Sequence, residues 1–292
     1  MNRSIVTLLI FQITVITSLR VLAQSEGGRG EIDFSNDGRG WSFGLNVGVY
    51  YPSKKTANYY NGHPSNVNNV NYVMSNYYWY NEIFQSLGAN DSISVAGLPQ
   101  NMHYKLAMQP GLYAQYSFNP QLALVIEFNY MKLKANDVIT FEVDPKPYAT
   151  EPDLRLYPMR GVEERVYGNI GIKRTWPKTD KLSWFVTGGV NINSTKVKKS
   201  SFYVEDQFYT EKEYSMINVY GDNSYIPNGN TQAFTVYQGG IGFGMFGGAG
   251  ASLKFANSVV IEPGITANWL MVKLENFRDM NPGIGAYVRF MY

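Results

Sequence analysis

The sequence predicts an all-β protein, a closed antiparallel transmembrane β-barrel of about eight strands with short periplasmic turns and long extracellular loops. Three observations predict it. Stretches in which apolar and polar or small residues alternate with period two recur eight times along the chain. After the N-terminus, no stretch approaches the ~18 consecutive apolar residues of a helical membrane span. The links between the alternating stretches are long and short by turns, as in outer-membrane barrels. Composition agrees. Charged residues make up only 16% of the 292, against 15% aromatic with 28 Gly, a balance that suits many short strands and falls well under the ~25% charge of soluble domains.

The N-terminus reads as a secretion signal over 1–23. Arg3 supplies a basic start, Ile5 to Ile16 a mostly apolar stretch, and Val21 and Ala23 the small or medium residues before a cut between Ala23 and Gln24. A membrane anchor is the alternative, but Arg20 interrupts the apolar run. Loss of 1–23 removes Arg3 and Arg20 and no acids, leaving 25 − 2 = 23 basic against 23 acidic residues. A net charge near zero gives no reason to expect nucleic acid. The absence of cysteine excludes disulfides, thiolate metal sites and thiol catalysis. Residues 24–40 form a polar, Gly-rich lead, and the barrel is expected over 41–292.

The first strand, 41–51, sets Trp41, Phe43, Leu45, Val47, Val49 and Tyr51 on one face and Ser42, Gly44, Asn46, Gly48 and Tyr50 on the other. Further strands are expected at 104–118, 122–134, 162–176, 182–196, 241–255, 258–272 and 281–292. Short links fall at Asn119-Pro120-Gln121, Pro177 to Lys181 and Ala256-Asn257. Long ones fall at 52–103, 135–161 and 197–240, and 273–280 joins the last pair. An even strand number places both chain ends on the short-turn side. Trp41, Trp176, Trp184, Trp269, Phe128, Tyr130, Phe290 and Tyr292 suit the aromatic girdles of the two membrane surfaces. A soluble β-sandwich also alternates, but it would turn the apolar face inward and leave a glycine-rich face to water. Pro110 and Pro263 lie inside proposed strands, where a closed sheet has no free edge, so a bulge or bend is expected at each.

Four segments, LALVIEFNYMKL (Leu122 to Leu133), VYGNIGIKRTW (Val166 to Trp176), WFVTGGVNIN (Trp184 to Asn193) and the closing GIGAYVRFMY (Gly283 to Tyr292), resemble the PorT-like outer-membrane β-barrel family of Gram-negative bacteria, a porin-family-like small barrel. The resemblance covers strands and short turns, not the long loops. The fourth strand departs from the pattern, with Gly171 and Ile172 where a Pro is usual. The likeness implies an eight-stranded barrel inserted by the barrel assembly machinery, with Phe290 and the terminal aromatic Tyr292 as the insertion signal. Some relatives serve in a protein secretion and gliding apparatus.

The same alternation points Glu127, Lys173, Glu262 and Arg289 into the lumen at one level, with Glu127 beside Lys173 and Glu262 beside Arg289 on neighbouring strands. An eight-stranded barrel is just wide enough for its side chains to fill. A plug of paired charges is therefore expected in place of an open pore, with an ion or proton relay as the alternative. Catalysis would have to rest on His63 or on His103, which has Asp91 and Asp137 as distant acid candidates; spacing fixes no triad, and no His pair suits a metal. No cofactor is expected. The first long loop gathers Tyr59, Tyr60, Tyr72, Tyr77, Tyr78, Trp79 and Tyr80 among seven asparagines (58, 61, 66, 68, 69, 71, 76), and Phe202, Tyr203, Phe208, Tyr209, Tyr214, Tyr220 and Tyr225 enrich the third. Tyr and Trp give large contact areas at low entropic cost, and Asn adapts its hydrogen bonds. These residues form either a recognition surface or a self-packed cap. A short helix is expected near 80–88, and Glu142, Asp144, Glu151, Asp153, Glu163 and Glu164 read as solvated charge, with cation binding as the alternative. The expected role is that of a non-enzymatic anchor or interaction protein in the bacterial outer membrane. Its partners would be outer-membrane lipid and lipopolysaccharide, and an extracellular or envelope protein. A narrow porin or small-ligand channel, and a rim hydrolase or acyltransferase, are the alternatives.

Overall fold

The computed structural model describes residues 39–145, 151–205, 210–217, 238–255 and 259–292. The expected signal and its cleavage point, and all of the lead but Arg39 and Gly40, lie outside them, as do Phe208, Tyr209, Tyr220 and Tyr225. Among the described residues ten strands form one antiparallel sheet: β1 (Gly40–Pro52), β2 (Ile93–Gly97), β3 (Ala107–Asn119), β4 (Leu122–Val143), β5 (Asp153–Pro177), β6 (Leu182–Glu205), β7 (Glu211–Ser215), β8 (Gly239–Lys254), β9 (Val260–Met271) and β10 (Met280–Met291).

Eight of them hydrogen-bond into a closed ring that follows the chain, β1-β3-β4-β5-β6-β8-β9-β10 and back to β1. The closing ladder pairs Leu45 with Phe290 and Val47 with Val288. A ring has no edge, so the backbone groups of these strands find partners within the sheet. Strand β2 pairs only with the far end of β4, and β7 only with the far end of β6. These two small strands fill the places that β3 and β8 vacate there.

The alternation of the sequence is the alternation of burial. Asn46, Gly48 and Tyr50 of β1 are buried within the ring, while Trp41, Phe43, Leu45, Val47 and Tyr51 are exposed on its outside. The same outward exposure holds for Phe128, Val166, Ile170, Ile172, Val186, Val190, Ile192, Phe243, Met245, Ile265, Trp269, Ile284, Val288 and Phe290. Some ten residues per strand belong to this apolar belt, which at ~3.3 Å per residue and ~40° of tilt stands ~25 Å tall.

Three strands run far beyond the belt. β4, β5 and β6 have 22, 25 and 24 residues, well past the expected ends at 134, 162 and 196, and the expected loops 135–161 and 197–240 shrink accordingly. Past Tyr130 the polarity of β4 inverts. Outward positions become Lys132 and Lys134, while Met131, Leu133, Ile139 and Phe141 are fully buried. The extension therefore has an apolar interior and a wet exterior, as a soluble protein does.

The segment between β1 and β3 covers this extension with α1 (Lys54–Ala57), a 3₁₀ turn (Asn58–Tyr60), α2 (Val70–Met74), α3 (Tyr77–Ser86) and β2. Helix α3 starts before the expected 80–88 because Asn76 caps it, its side chain accepting from the N–H groups of Tyr78 and Trp79 at 3.0 and 3.2 Å. Gly88, with φ of 62°, ends it in the left-handed region. Ile83 and Leu87 are buried with Val70, Val73, Met102, Phe141, Met159 and Phe202 in one core.

The two prolines behave differently. Pro263 keeps register with both neighbours and causes no bulge; pairing with β8 lapses between Gly250↔Gly264 and Leu253↔Ile261, over two residues on each side. At Pro110 the β3–β4 ladder ends at Gly111↔Asn129, and the next bridge is Tyr104↔Ala135. Seven steps on one side face six on the other, so one extra residue is taken up where the missing N–H falls.

Candidate functional site

The interior of the ring is polar and neutralised. Arg289 on β10 is fully buried and spends its whole guanidinium on three acceptors. Its Nη1 donates to Glu262 Oε2 at 3.0 Å, its Nε to Asn46 Oδ1 at 2.9 Å, and its Nη2 to Glu127 Oε1. Its planar group lies 3.4 Å over the ring centre of Tyr113, a placement that Arg favours over Lys. Glu262 also takes Lys173, and Lys173 Nζ donates to Gln115 Oε1 at 3.1 Å. An amide chain extends from the carboxylates: Asn169 Nδ2 donates to Glu127 at 3.2 Å, Asn191 to Asn169 at 2.5 Å, and Asn193 to Asn191 at 3.2 Å.

The four charges expected in the lumen thus meet, with two corrections. Glu127 faces Asn169 across the β4–β5 ladder while Lys173 faces Ala123, so the two are not at one level. Lys173 pairs instead across the lumen with Glu262, and Arg289 bridges both acids. Tilted, staggered strands bring residues of different ladder positions to the same height, which strand-by-strand counting misses. Aromatic rings seated on glycines fill the remaining width. A Cβ on Gly250 would lie 2.6 Å from Phe185 Cζ, and Lys173 Nζ sits 4.6 Å over that same ring. A cavity bordered by Asn46, Gln109, Glu127, Asn129 and Asn268 is about 10 Å³, the room of about one water.

A second buried charge pair lies at the junction with the cap. Arg165 and Glu163 of β5 are ion-paired and essentially inaccessible. Tyr60 Oη donates to Glu163 Oε2 at 2.5 Å, Arg165 reaches Thr56 Oγ1 at 3.3 Å and Tyr104 Oη at 3.5 Å, and Tyr167 Oη meets Tyr50 Oη at 3.2 Å. Burial first, and the Glu163 charge second, hold the Tyr60 phenol well above its ordinary range. Glu163 is therefore not solvated charge. The signal was present: positions 173, 171, 169, 167, 165 and 163 are all inward on β5.

The aromatic loop residues divide. Tyr59 and Tyr60 are buried, which removes them from a recognition surface; the cap core needs their rings. Tyr59 Oη donates to Gln238 Oε1 at 3.0 Å, and Gln238 also exchanges amide bonds with Asn68. Tyr72, Trp79 and Tyr80 are half-buried, and Tyr72 and Trp79 meet edge to face with ring centres 5.9 Å apart. Among the described loop aromatics, Tyr77 and Tyr78, more than 70% exposed, face solvent most fully. Phe202, Tyr203 and Tyr214 are buried. Several of the loop asparagines serve local structure: Asn69 and Asn76 cap helices, and Asn66 Nδ2 donates to the Asn58 carbonyl at 2.8 Å. Phe290 and Tyr292 point outward, and Tyr292 bonds back to Phe43 at 3.1 Å.

Acids of the outer loops are held rather than spread. Asp144, with φ of 49°, accepts the N–H groups of Asp91 at 2.7 Å, Asn90 at 2.9 Å and Ser92 at 3.2 Å. Those backbone bonds, from Asp91 first and Asn90 next, draw its carboxyl below the ordinary range. Asp153 pairs with Arg155 at 2.7 Å. His63 Nδ1 contacts Ser65 Oγ at 2.8 Å. His103 is exposed, and among the described residues neither Asp91 nor Asp137 forms an ion pair with it.

No family model matches the chain, and no curated protein does. Solved structures are similar at low identity. Neisserial surface protein A is 7% identical, covering 86% of this chain and 95% of its own, with a TM-score of 0.40. Outer membrane protein OprG from Pseudomonas aeruginosa is 8% identical over 88% and 98%, with a TM-score of 0.36. Ail, the attachment invasion locus protein of Yersinia pestis, is 10% identical over 86% and 98%, with a TM-score of 0.32.

Proposed function

We propose that the chain is an eight-stranded outer-membrane β-barrel, sealed along its axis, that carries a folded cap as a non-enzymatic interaction surface for an envelope or extracellular protein. The observation that carries this reading is the outward apolar belt on a ring whose inside is polar. Water cannot face that belt without a large cost, at roughly 25 cal/mol per Å² of apolar surface, whereas lipid can, and only a closed ring satisfies its backbone there. The β3–β4 and β5–β6 turns lie on one side with Arg39 and Tyr292, the ends of the described barrel residues, and the cap lies on the other, which supports insertion from the periplasm with the cap outside. The buried ion pairs that join Lys173, Glu262, Arg289 and Glu127 across the lumen favour a sealed barrel over a narrow porin. The PorT-like resemblance, and with it a place beside a secretion apparatus, belongs to this proposal and rests on the four sequence segments.

The exposed pair Tyr77 and Tyr78, with ring centres 5.8 Å apart, is the contact surface of choice, since exposed aromatics at a rigid helix start are typical anchors of interfaces. The test is outer-membrane fractionation with a heat-shifted gel band, followed by crosslinking from a photoreactive residue placed at exposed Ser75, which leaves both tyrosines in place. A heat-modifiable band and a discrete crosslinked partner, lost in Tyr77→Ser/Tyr78→Ser, are expected. A soluble protein without a heat shift would overturn the barrel, and unchanged crosslinking in the double variant would overturn the surface.

A further inference from the structure

Where the apolar belt ends on β4, β5 and β6, the outer wall turns strongly basic. Lys132 and Lys134 of β4 are exposed one and two outward positions beyond Tyr130, and Lys196 and Lys198 stand at the matching height on β6. Between them on β5 lies a single acid, Glu164, which faces Lys132 on one side and Lys196 on the other. Glu164 pairs with Lys198 at 3.1 Å. Lys105, also exposed, adjoins Lys134, donating its backbone N–H to the Lys134 carbonyl at 2.8 Å. Among the described residues, and leaving Lys196 aside, four lysines (105, 132, 134 and 198) against one glutamate leave this stretch of wall at about +3. At the outer ends of β9 and β10 the rim is balanced instead, with Lys273 and Arg278 against Glu275 and Asp279.

Like charges crowded on neighbouring strands repel, and here the crowding is confined to one flank, directly over Tyr130, Val166 and Ile192 of the belt. Ammonium groups at that height reach the headgroup layer, where anionic groups bind polybasic surfaces, and Lys serves phosphate as a compact point charge. We infer that this flank is a binding site for the phosphorylated headgroup of an outer-leaflet glycolipid, whose acyl chains lie down the belt beneath it. The inference rests on the barrel reading above and locates one of its partners.

The test uses the full chain inserted in phosphatidylcholine nanodiscs, titrated with bisphosphorylated lipid A and with the same lipid after removal of its phosphates, bound lipid being counted by native mass spectrometry. The bisphosphorylated lipid is expected to be retained and the dephosphorylated one lost. Lys132→Gln/Lys134→Gln is expected to weaken retention by about 30-fold, the worth of two lysines at an anionic surface. Lys132→Arg/Lys134→Arg and Lys273→Gln are expected to stay within a few-fold of the parent chain. Equal retention of both lipids, or no loss in the Gln variant, overturns the site, and so does displacement by millimolar inorganic phosphate, which would make it a site for free anions. Failure of the parent chain to give a heat-modifiable inserted form would instead overturn the barrel reading, so the two failures are told apart.

Discussion

Arg289 and Glu262 stand directly opposite each other on β10 and β9, with Nη1 of the one 3.0 Å from Oε2 of the other. The same guanidinium also neutralises Glu127. Replacing Arg289 by Met would leave two buried carboxylates sharing one lysine, Lys173. Breaking such a buried pair costs about 3–5 kcal/mol. The gel-shift temperature of the folded band is expected to fall sharply in Arg289→Met and to recover substantially in Glu127→Gln/Glu262→Gln/Lys173→Met/Arg289→Met, where no charge is left unpaired. A single variant as stable as the parent would mean that these groups are solvated and that the lumen is not sealed.

Because the charge network lies below the cap, the cap is not what closes the lumen. A chain lacking 58–101, with a short Gly-Ser link, is expected to stay silent in planar bilayers. Conductance steps in that deletion alone would assign the seal to the cap, and steps in the parent chain would restore the porin reading.

The belt and the lumen were legible because an exposed apolar wall and a packed polar interior impose opposite demands on successive residues, so the period-two pattern of β1, β4 and β10 carries both at once. Beyond Tyr130 the period continues but its polarity reverses, and Lys132, Lys134 and Lys198 made the upper strands resemble loops. Glu163 and Arg165 were within reach by extending the β5 register. No pattern in composition distinguishes buried Tyr60 from exposed Tyr78, since that depends on how the cap folds back over Gly161. Barrel stagger likewise hid the pairing of Lys173 with Glu262.

Asp144 ties β2 and the α3–β2 turn to the end of β4 by accepting three backbone N–H groups. Its carboxyl is depressed in the folded chain, so its contribution is fully present above the unfolded value near 3.9 and is lost as pH falls through the lower folded value. Hydrogen exchange at 90–92 is therefore expected to be unchanged from pH 7 to about pH 5 and to quicken, after correction for intrinsic rates, only below about pH 4. Asp144→Asn keeps the left-handed backbone that Asn tolerates and removes the charge. It is expected to show the faster exchange at pH 7 and no further change on acidification. Identical profiles in parent and variant would show that the carboxylate does not hold the turn.

Gly161 of β5 is the seat of the Tyr60 ring. A Cβ built there would lie 2.2 Å from Tyr60 Cγ and 2.6 Å from Tyr60 Cβ. Those atoms are at the root of the side chain, and the ring is fully buried between Tyr59 and Tyr104, with centres 5.1 and 6.4 Å away, so Tyr60 has nowhere to swing. Gly161→Ala must therefore lift Tyr60 off β5 and break its bond to Glu163, leaving a buried carboxylate one donor short at a cost of about 1–3 kcal/mol. The effect should stay local, because the lumen network does not touch Gly161. Surface proteolysis is expected to cut within 53–103 several-fold faster in Gly161→Ala, while the heat shift of the protected core stays at the parent temperature. Paired with Tyr60→Gly, which empties the space the new methyl needs, Gly161→Ala should add no further protease sensitivity. If both singles and the double cut at parent rates, the cap is not anchored through this contact.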